Sequence, residues 1–279
     1  MRRFSGSILA ASNNPGLPMI RLAISPCPND TFMFHGLLRD PQWRDRLDLR
    51  LRDIAELNRL AASGEADFAK VSCAEALRLD ATHEILAAGA ALGRGCGPLL
   101  VSRGHKTAAE LARSEILIPG RSTTAFLLLR GFLGRDFRPT EKIFSAIMPA
   151  LASGEAEAGL IIHESRFTYP QHGLNLVRDL GAWWEEESSL PIPLGCIVAR
   201  RDLPASIRQE FSAALGRSVA LALSRPWRDQ PELAEFIRGH AQELSEEVLD
   251  QHIRTYVNSE SIELSNEGRR ALVELKRLL

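Results

Sequence analysis

The phrase Ala62-Ser63-Gly64-Glu65-Ala66-Asp67 returns downstream as Ala152-Ser153-Gly154-Glu155-Ala156-Glu157, each time between a helical pattern and a strand-like run. A chain that carries one unit twice, in matching contexts, reads as an internal duplication. Ile54, Leu57, Leu60 and Ala61 precede the first copy, and Ile147, Ala150 and Leu151 the second, at the three- and four-residue spacings of one helix face. Gly64 and Gly154 then end those helices, because glycine enters the left-handed conformation without a steric penalty. Phe68-Ala69-Lys70-Val71-Ser72 and Ala158-Gly159-Leu160-Ile161-Ile162-His163 follow as buried strands. In this register Ser72 aligns with Ile162 and Cys73 with His163, so polar residues gather where each strand ends. Ligands of open α/β sheets bind outside the carboxyl ends of the strands. Two lobes, each presenting such an edge, predict a cleft with Ser72 and His163 facing one another across it.

The rest of the chain fits that plan. Its 279 residues allow one large or two ordinary domains. Hydrophobic residues at 45% and charged residues at 25% are the composition of a soluble globular protein. A formal net charge of −1 gives no electrostatic case for nucleic acid. No stretch has the roughly 18 apolar residues of a membrane span. The four cysteines, Cys27, Cys73, Cys96 and Cys196, are dispersed and lack CxxC spacing, so they read as reduced thiols of a cytoplasmic protein rather than zinc ligands or disulfides. Neither GxxxxGK[ST] nor GxGxxG occurs, and the expected partner is a small molecule with no metal or cofactor. The oligomeric state is left open.

Residues 1–19 form an expected leader. The apolar run Ile8-Leu9-Ala10-Ala11 is too short for a signal core of about 7 to 15 residues. Ser12-Asn13-Asn14-Pro15-Gly16 has turn or disorder composition, and Met19 can serve as a start. From Ile20 strands and helices alternate, the βα pattern of largely parallel sheets. Leu99-Leu100-Val101-Ser102-Arg103 and Leu194-Gly195-Cys196-Ile197-Val198-Ala199-Arg200 are candidates for strands that cross between lobes. Glu115 to Gly120, Ile143 to Ile147, Gly159 to Ile162 and Leu174 to Val177 supply strands of a middle lobe. From Pro204 the pattern is helical, with Phe211, Leu215, Val219 and Leu223 four apart. Lobe I is therefore expected over 20–97 plus 196–279, and lobe II over 98–195.

Three places can carry chemistry. Ser25-Pro26-Cys27-Pro28-Asn29-Asp30-Thr31 joins the first strand to the first helix. Asn29 or Asp30 is placed to cap that helix, but capping does not account for two prolines and so many small polar side chains where ligands dock. Gly120-Arg121-Ser122-Thr123-Thr124 repeats the arrangement in lobe II, and a helix N-terminus there suits a substrate carboxylate or phosphate as well as an ordinary threonine cap. His163 ends a run of aliphatic residues, at the rim of a hydrophobic sheet, and an imidazole titrates near neutral pH. Glu164 follows it, on the opposite face if the strand continues. His83, His105, His172 and His240 are expected in solvated turns or polar helix faces, and Trp183-Trp184 as packing.

Ser25-Pro26-Cys27-Pro28-Asn29-Asp30-Thr31-Phe32 and Gly159-Leu160-Ile161-Ile162-His163-Glu164-Ser165-Arg166-Phe167-Thr168-Tyr169 resemble the 1,4-dihydroxy-6-naphthoate synthases of the futalosine route to menaquinone. The likeness continues through Lys70-Val71-Ser72, Gly120 to Thr124, Gly181-Ala182-Trp183-Trp184 and His252 to Asn258, and so spans nearly everything after residue 19. It implies an α/β fold like the type II two-lobed periplasmic solute-binding proteins, recruited as a lyase that splits cyclic dehypoxanthine futalosine. It further implies His163 as the base and Lys70, Val71, Ser72, Thr123 and Thr124 as substrate contacts, to which the first loop adds Asn29 and Ser25. A chorismate dehydratase of the same pathway and a non-catalytic solute-binding protein are the alternatives on this fold. The Ile162-His163-Glu164-Ser165-Arg166 phrase favours the synthase, and a transport protein would normally carry an export signal.

Overall fold

Two separate β-sheets organise the chain in the computed structural model, which describes residues 19–241 and 245–279. The expected leader, Met19 apart, lies outside the described residues. In chain order the strands are β1 (Ile20–Ile24), β2 (Leu47–Leu51), β3 (Phe68–Ser72), β4 (His83–Ile85), β5 (Ala91–Gly93), β6 (Leu99–Arg103), β7 (Glu115–Ile118), β8 (Arg138–Glu141), β9 (Ala158–Ile161), β10 (Leu174–Asp179) and β11 (Ile192–Arg200). The first sheet runs β2-β1-β3-β11-β4, with β5 also on β11, and the second runs β10-β6-β9-β7-β8.

Both sheets are mixed. The strands β1, β2 and β3 are parallel, as are β7, β8 and β9, which is the βα pattern expected from the sequence. Strand β11 is antiparallel to β3, β4 and β5, while β6 is antiparallel to β9 and to β10. Of these, β6 and β11 are the strands that follow the passages between lobes, so the strand before each lies in the other sheet and no crossover within one sheet sets a parallel course. Strand β11 pairs with the first sheet from Ile192 onward, so residues 192–195 belong with that sheet rather than with the second.

The repeated phrase does the same work in both lobes. Asp53 opens the Ile54–Ala62 helix by accepting from the N–H groups of Ala55 and Glu56, and Gly64 follows the helix with φ +70°. Gly154, at φ +86°, closes the Phe144–Ser153 helix in the left-handed region. The segment Ile143 to Ile147, expected as a strand, is the start of this second helix. Its strand neighbour is β8, whose Pro139 masks the signal and is tolerated because β8 is an edge strand.

The C-terminal helices return to the first sheet. The Ala205–Leu223 helix lies on the Pro28–Arg39 helix, where Ser218 Oγ donates to the Met33 carbonyl at 2.6 Å and accepts from the Leu37 N–H at 3.0 Å. Phe211, Leu215 and Val219 are buried, but Leu223 is exposed and Ala222 takes the inward place. Steps of four residues advance about 40° beyond a full turn, so the fourth member of the series has rotated out of the interface. Gly97 and Gly181 pack so closely that a Cβ at Gly97 would lie 2.2 Å from the Gly181 nitrogen. Trp183 and Trp184 are packing residues: Trp184 is buried with its indole N–H on the Pro191 carbonyl, and Trp183 meets Phe132 edge-on.

Candidate active site

Between the sheets lies a cavity of about 80 Å³ whose wall includes Lys70, Ser72, Thr123, Thr124, Asn29, His163 and Tyr256. Ser72 is the last residue of β3, and His163 comes two residues after β9, so the duplicated strand ends do bring their polar residues to one space. Ser25 and Val71 are buried and stand outside that wall. Val71 belongs to the hydrophobic core, and the Ser25 hydroxyl donates to Asp30 Oδ2 at 2.7 Å behind the cavity.

Each wall residue is held by the sequence around it. Cys27, not Asn29 or Asp30, is the residue before the Pro28–Arg39 helix, because Pro28 supplies the first helical position. Asn29 and Asp30 thus lie in the first turn, buried and pointing inward. Asp30 Oδ1 accepts from Asn29 Nδ2 at 2.9 Å and pairs with Lys70 Nζ at 3.2 Å. The Lys70 ammonium also donates to the Gly89 carbonyl at 3.2 Å. An ammonium has three N–H donors, so Lys70 is fixed by two partners and keeps one for the cavity it lines. Buried charges persist when paired and hydrogen-bonded in this way.

Thr123 caps the Thr124–Leu133 helix, accepting from the Phe126 N–H at 3.1 Å and donating to the Gly120 carbonyl at 2.7 Å. The Thr124 hydroxyl donates to the Leu194 carbonyl at 2.9 Å and accepts from the Ala74 N–H at 3.1 Å. Both hydroxyls are therefore engaged within the protein. The cavity is offered instead the helix's own first N–H groups, at Thr124 and Ala125, which have no acceptor one turn back. That end carries partial positive charge and suits an anion.

His163 has φ +57°, a left-handed conformation that costs a residue with a Cβ energy and is held only by its surroundings. The strand has ended before it, which frees its direction from the alternation of β9. Its ring stands 5.0 Å from Phe144 and lies parallel to the ring of His252, with centroids 6.1 Å apart. Burial lowers the His163 pKa below the ordinary imidazole value, with Glu164 and Asp30 opposing the shift and Lys70 adding to it. At neutral pH the ring is thus unprotonated and able to accept a proton. Burial raises the Tyr256 phenol well above its ordinary value, so it stays protonated and able to donate.

Three residues at or beside the site carried no role in the sequence reading: Asn58, His252 and Tyr256. Asn58 is buried on the Ile54–Ala62 helix: its Nδ2 donates to Ser72 Oγ at 3.2 Å and to Ser122 Oγ at 3.0 Å, while its Oδ1 accepts from the Ser72 N–H at 2.9 Å. His252 is completely buried in the Glu246–Tyr256 helix, and its Nε2 lies 2.9 Å from Asn29 Oδ1. Tyr256 reaches the cavity from the same helix, one turn on. His83, expected in solvent, is a buried strand residue on Thr82 Oγ1 at 2.9 Å. All four cysteines are free and buried. Among the described residues no cluster of three or more His, Cys, Asp or Glu side chains could hold a metal ion. No described helix is long and apolar enough to cross a membrane.

Comparison with known proteins adds three findings. A family described as menaquinone biosynthesis matches residues 20–279. A 1,4-dihydroxy-6-naphthoate synthase of Thermus thermophilus is 47% identical over 260 residues, 92% of each chain, and one of Streptomyces coelicolor is 40% identical over 261 residues, 91% of this chain and 90% of that one. Among solved structures, an Archaeoglobus fulgidus protein superposes with a TM-score of 0.85 at 34% identity, covering 93% of this chain and 96% of that one. The alkanesulfonate-binding protein of Xanthomonas axonopodis pv. citri, bound to MOPS, gives 0.66 at 15% identity over 94% of each. The fold is that of the periplasmic binding proteins, with two α/β lobes and a cleft between them.

Proposed function

The chain belongs to the menaquinone biosynthesis family, as an enzyme of the 1,4-dihydroxy-6-naphthoate synthase type, and from that premise we propose that it splits cyclic dehypoxanthine futalosine to 1,4-dihydroxy-6-naphthoate with His163 as general base. The observation that carries this reading is the geometry of His163, a neutral imidazole in a strained backbone conformation, on the wall of a cavity that has ammonium, phenol and helix N-terminal donors around it. Strain of that kind is kept where surrounding structure enforces it, commonly at functional sites.

The reaction forms an aromatic ring, and the bond that breaks beside it requires proton removal together with hydrogen bonds to the oxyanions that develop. His163 takes the proton. Lys70, through its uncommitted N–H, and the Tyr256 phenol, both buried side chains on the cavity wall, supply donors, and such bonds are stronger there than in solvent. The N-terminus of the Thr124–Leu133 helix takes the substrate carboxylate. Ser72 and Thr123 shape the cavity beside these groups, while Val71 and Ser25 support the wall from behind.

A cavity of about 80 Å³ is smaller than the roughly 300 Å³ and more that sites for ligands of this size occupy, so the substrate enters with the lobes further apart. The test is direct. Purified protein incubated with cyclic dehypoxanthine futalosine should yield dihydroxynaphthoate, detected by mass, with no added metal or cofactor. Recovery of unchanged substrate under conditions where the protein binds it would make the chain a binding protein on this fold.

A further inference from the structure

Behind the His163 ring two buried polar atoms face each other without a bond. His252 Nδ1 and Glu164 Oε2 are 3.9 Å apart, beyond hydrogen-bond reach, and neither has another hydrogen-bond partner among the described residues. Orphaned groups of this kind cost free energy unless something joins them. They border a pocket of about 10 Å³, lined also by Pro26, Cys27 and Leu249, which is close to the space one water molecule occupies.

The proton positions follow from the chain of partners. Asp30 pairs with Lys70 and only accepts hydrogen bonds as a carboxylate, so the Asn29 amide must turn its NH₂ toward Asp30 and its oxygen toward His252. His252 Nε2 is then the donor, and Nδ1 of the neutral ring carries a lone pair directed at a carboxylate oxygen. Two acceptors at that separation are reconciled by a molecule with two donors, which is what a water is.

We propose that one internal water in this pocket donates to both His252 Nδ1 and Glu164 Oε2, and that the two residues so joined are positioning residues for the reaction. His252 fixes the Asn29 amide, and through Asp30 the Lys70 ammonium, at the cavity wall. Glu164, joined to His252 by the water, lies next to His163, where its charge raises the affinity of that imidazole for a proton and so favours the imidazolium that forms when His163 accepts one. The assignment of this role rests on His163 being the base. The groups that face His163 are Glu164 on its own turn, Asp30 from the first helix, Lys70 from β3, Asp53 before the Ile54–Ala62 helix and His252 from the Glu246–Tyr256 helix. Burial and the neighbouring His163 hold His252 well below the ordinary imidazole pKa, consistent with a neutral ring.

The wild-type protein labelled with ¹⁵N-histidine decides the proton arrangement without any variant. One histidine should show a protonated Nε2 and an accepting Nδ1 that persist from pH 8 to pH 5.5, and its signals should vanish in His252→Gln while remaining in His163→Asn. A protonated Nδ1 at His252 would overturn the proposal. In turnover, His252→Gln keeps a donor near the Nε2 position and should retain kcat within about tenfold, whereas His252→Asn loses that donor and should lose about 10²-fold in kcat with KM far less changed. Equal losses in the two variants would also overturn it. Glu164→Gln should shift the acid limb of kcat/KM to lower pH, and an unmoved limb would remove Glu164 from the role. Failure of the base reading appears separately, as full activity in His163→Asn with the histidine tautomer unchanged.

Discussion

Asn58 Nδ2 lies 3.0 Å from Ser122 Oγ, which ties a helix of the first lobe to the loop that starts the main helix of the second. The same amide holds Ser72 by both its N–H and its hydroxyl, so one buried side chain fixes a strand end of one lobe and a loop of the other beside the cavity. The Thr124 hydroxyl adds a second stitch, to Leu194 and Ala74.

Replacing Asn58 by Ala should therefore destabilise the protein. The buried Ser72 N–H loses its acceptor, at a cost of about 1 to 3 kcal/mol, read from chemical denaturation. A stability equal to wild type would mean that the amide is not the tie between lobes that the distances indicate.

Thr124→Val separates a structural hydroxyl from a substrate contact. Its two partners, the Ala74 N–H and the Leu194 carbonyl, are backbone groups that the substitution leaves unpaired. The midpoint of denaturation should fall, while KM measured on the folded fraction changes by less than about threefold, since the β-branched shape is kept. A large rise in KM with unaltered stability would make the Thr124 hydroxyl a direct substrate contact.

The duplication was legible because glycine leaves a mark at helix ends, and Gly64 and Gly154 both sit where that mark predicts. The position of His163 was legible from the aliphatic run before it. Asn58 and His252 left a fainter sign of one kind. Ile54, Leu57, Asn58 and Ala61 occupy the i, i+3, i+4, i+7 stripe of one helix, and Leu249, His252, Ile253 and Tyr256 that of another. A single polar residue inside an apolar stripe signals a buried hydrogen bond, but the partners, Ser122 and Asn29, are remote in sequence and only the fold supplies them. Strand β8 was hidden by Pro139, and the engagement of both threonine hydroxyls depends on backbone groups that no side-chain pattern reveals.

Stability should decline as the pH falls from 7.5 to 5.5. His35, His83, His163 and His252 all have pKa values lowered by burial, so the unfolded chain binds protons near pH 6.5 that the folded chain does not. Their contribution is complete above the unfolded value and is lost as pH drops below it. Thermal melting in matched buffers checks the sign, and a higher melting temperature at pH 5.5 would contradict it.

His163→Asn is the substitution that bears most directly on catalysis. Asparagine tolerates the left-handed backbone at φ +57° better than most residues, so the turn after β9 should persist and the fold should survive. What is removed is a neutral base on the cavity wall. General-base catalysis contributes about 10² to 10⁴ in rate, so turnover should fall by at least two orders of magnitude while KM moves little. Ser72→Ala provides the contrast, because the Ser72 hydroxyl partners Asn58 and lines the cavity without a proton-transfer role, and its effect should fall on KM and stability. In the wild type kcat/KM should drop on the acid side as His163 becomes protonated, at a pH below the ordinary imidazole value, since burial lowers its pKa. Loss of that acid limb in His163→Asn, along with the rate, would identify the titrating group as His163. Retention of more than about a tenth of wild-type turnover would place the base elsewhere, with Glu164 the next carboxylate at hand.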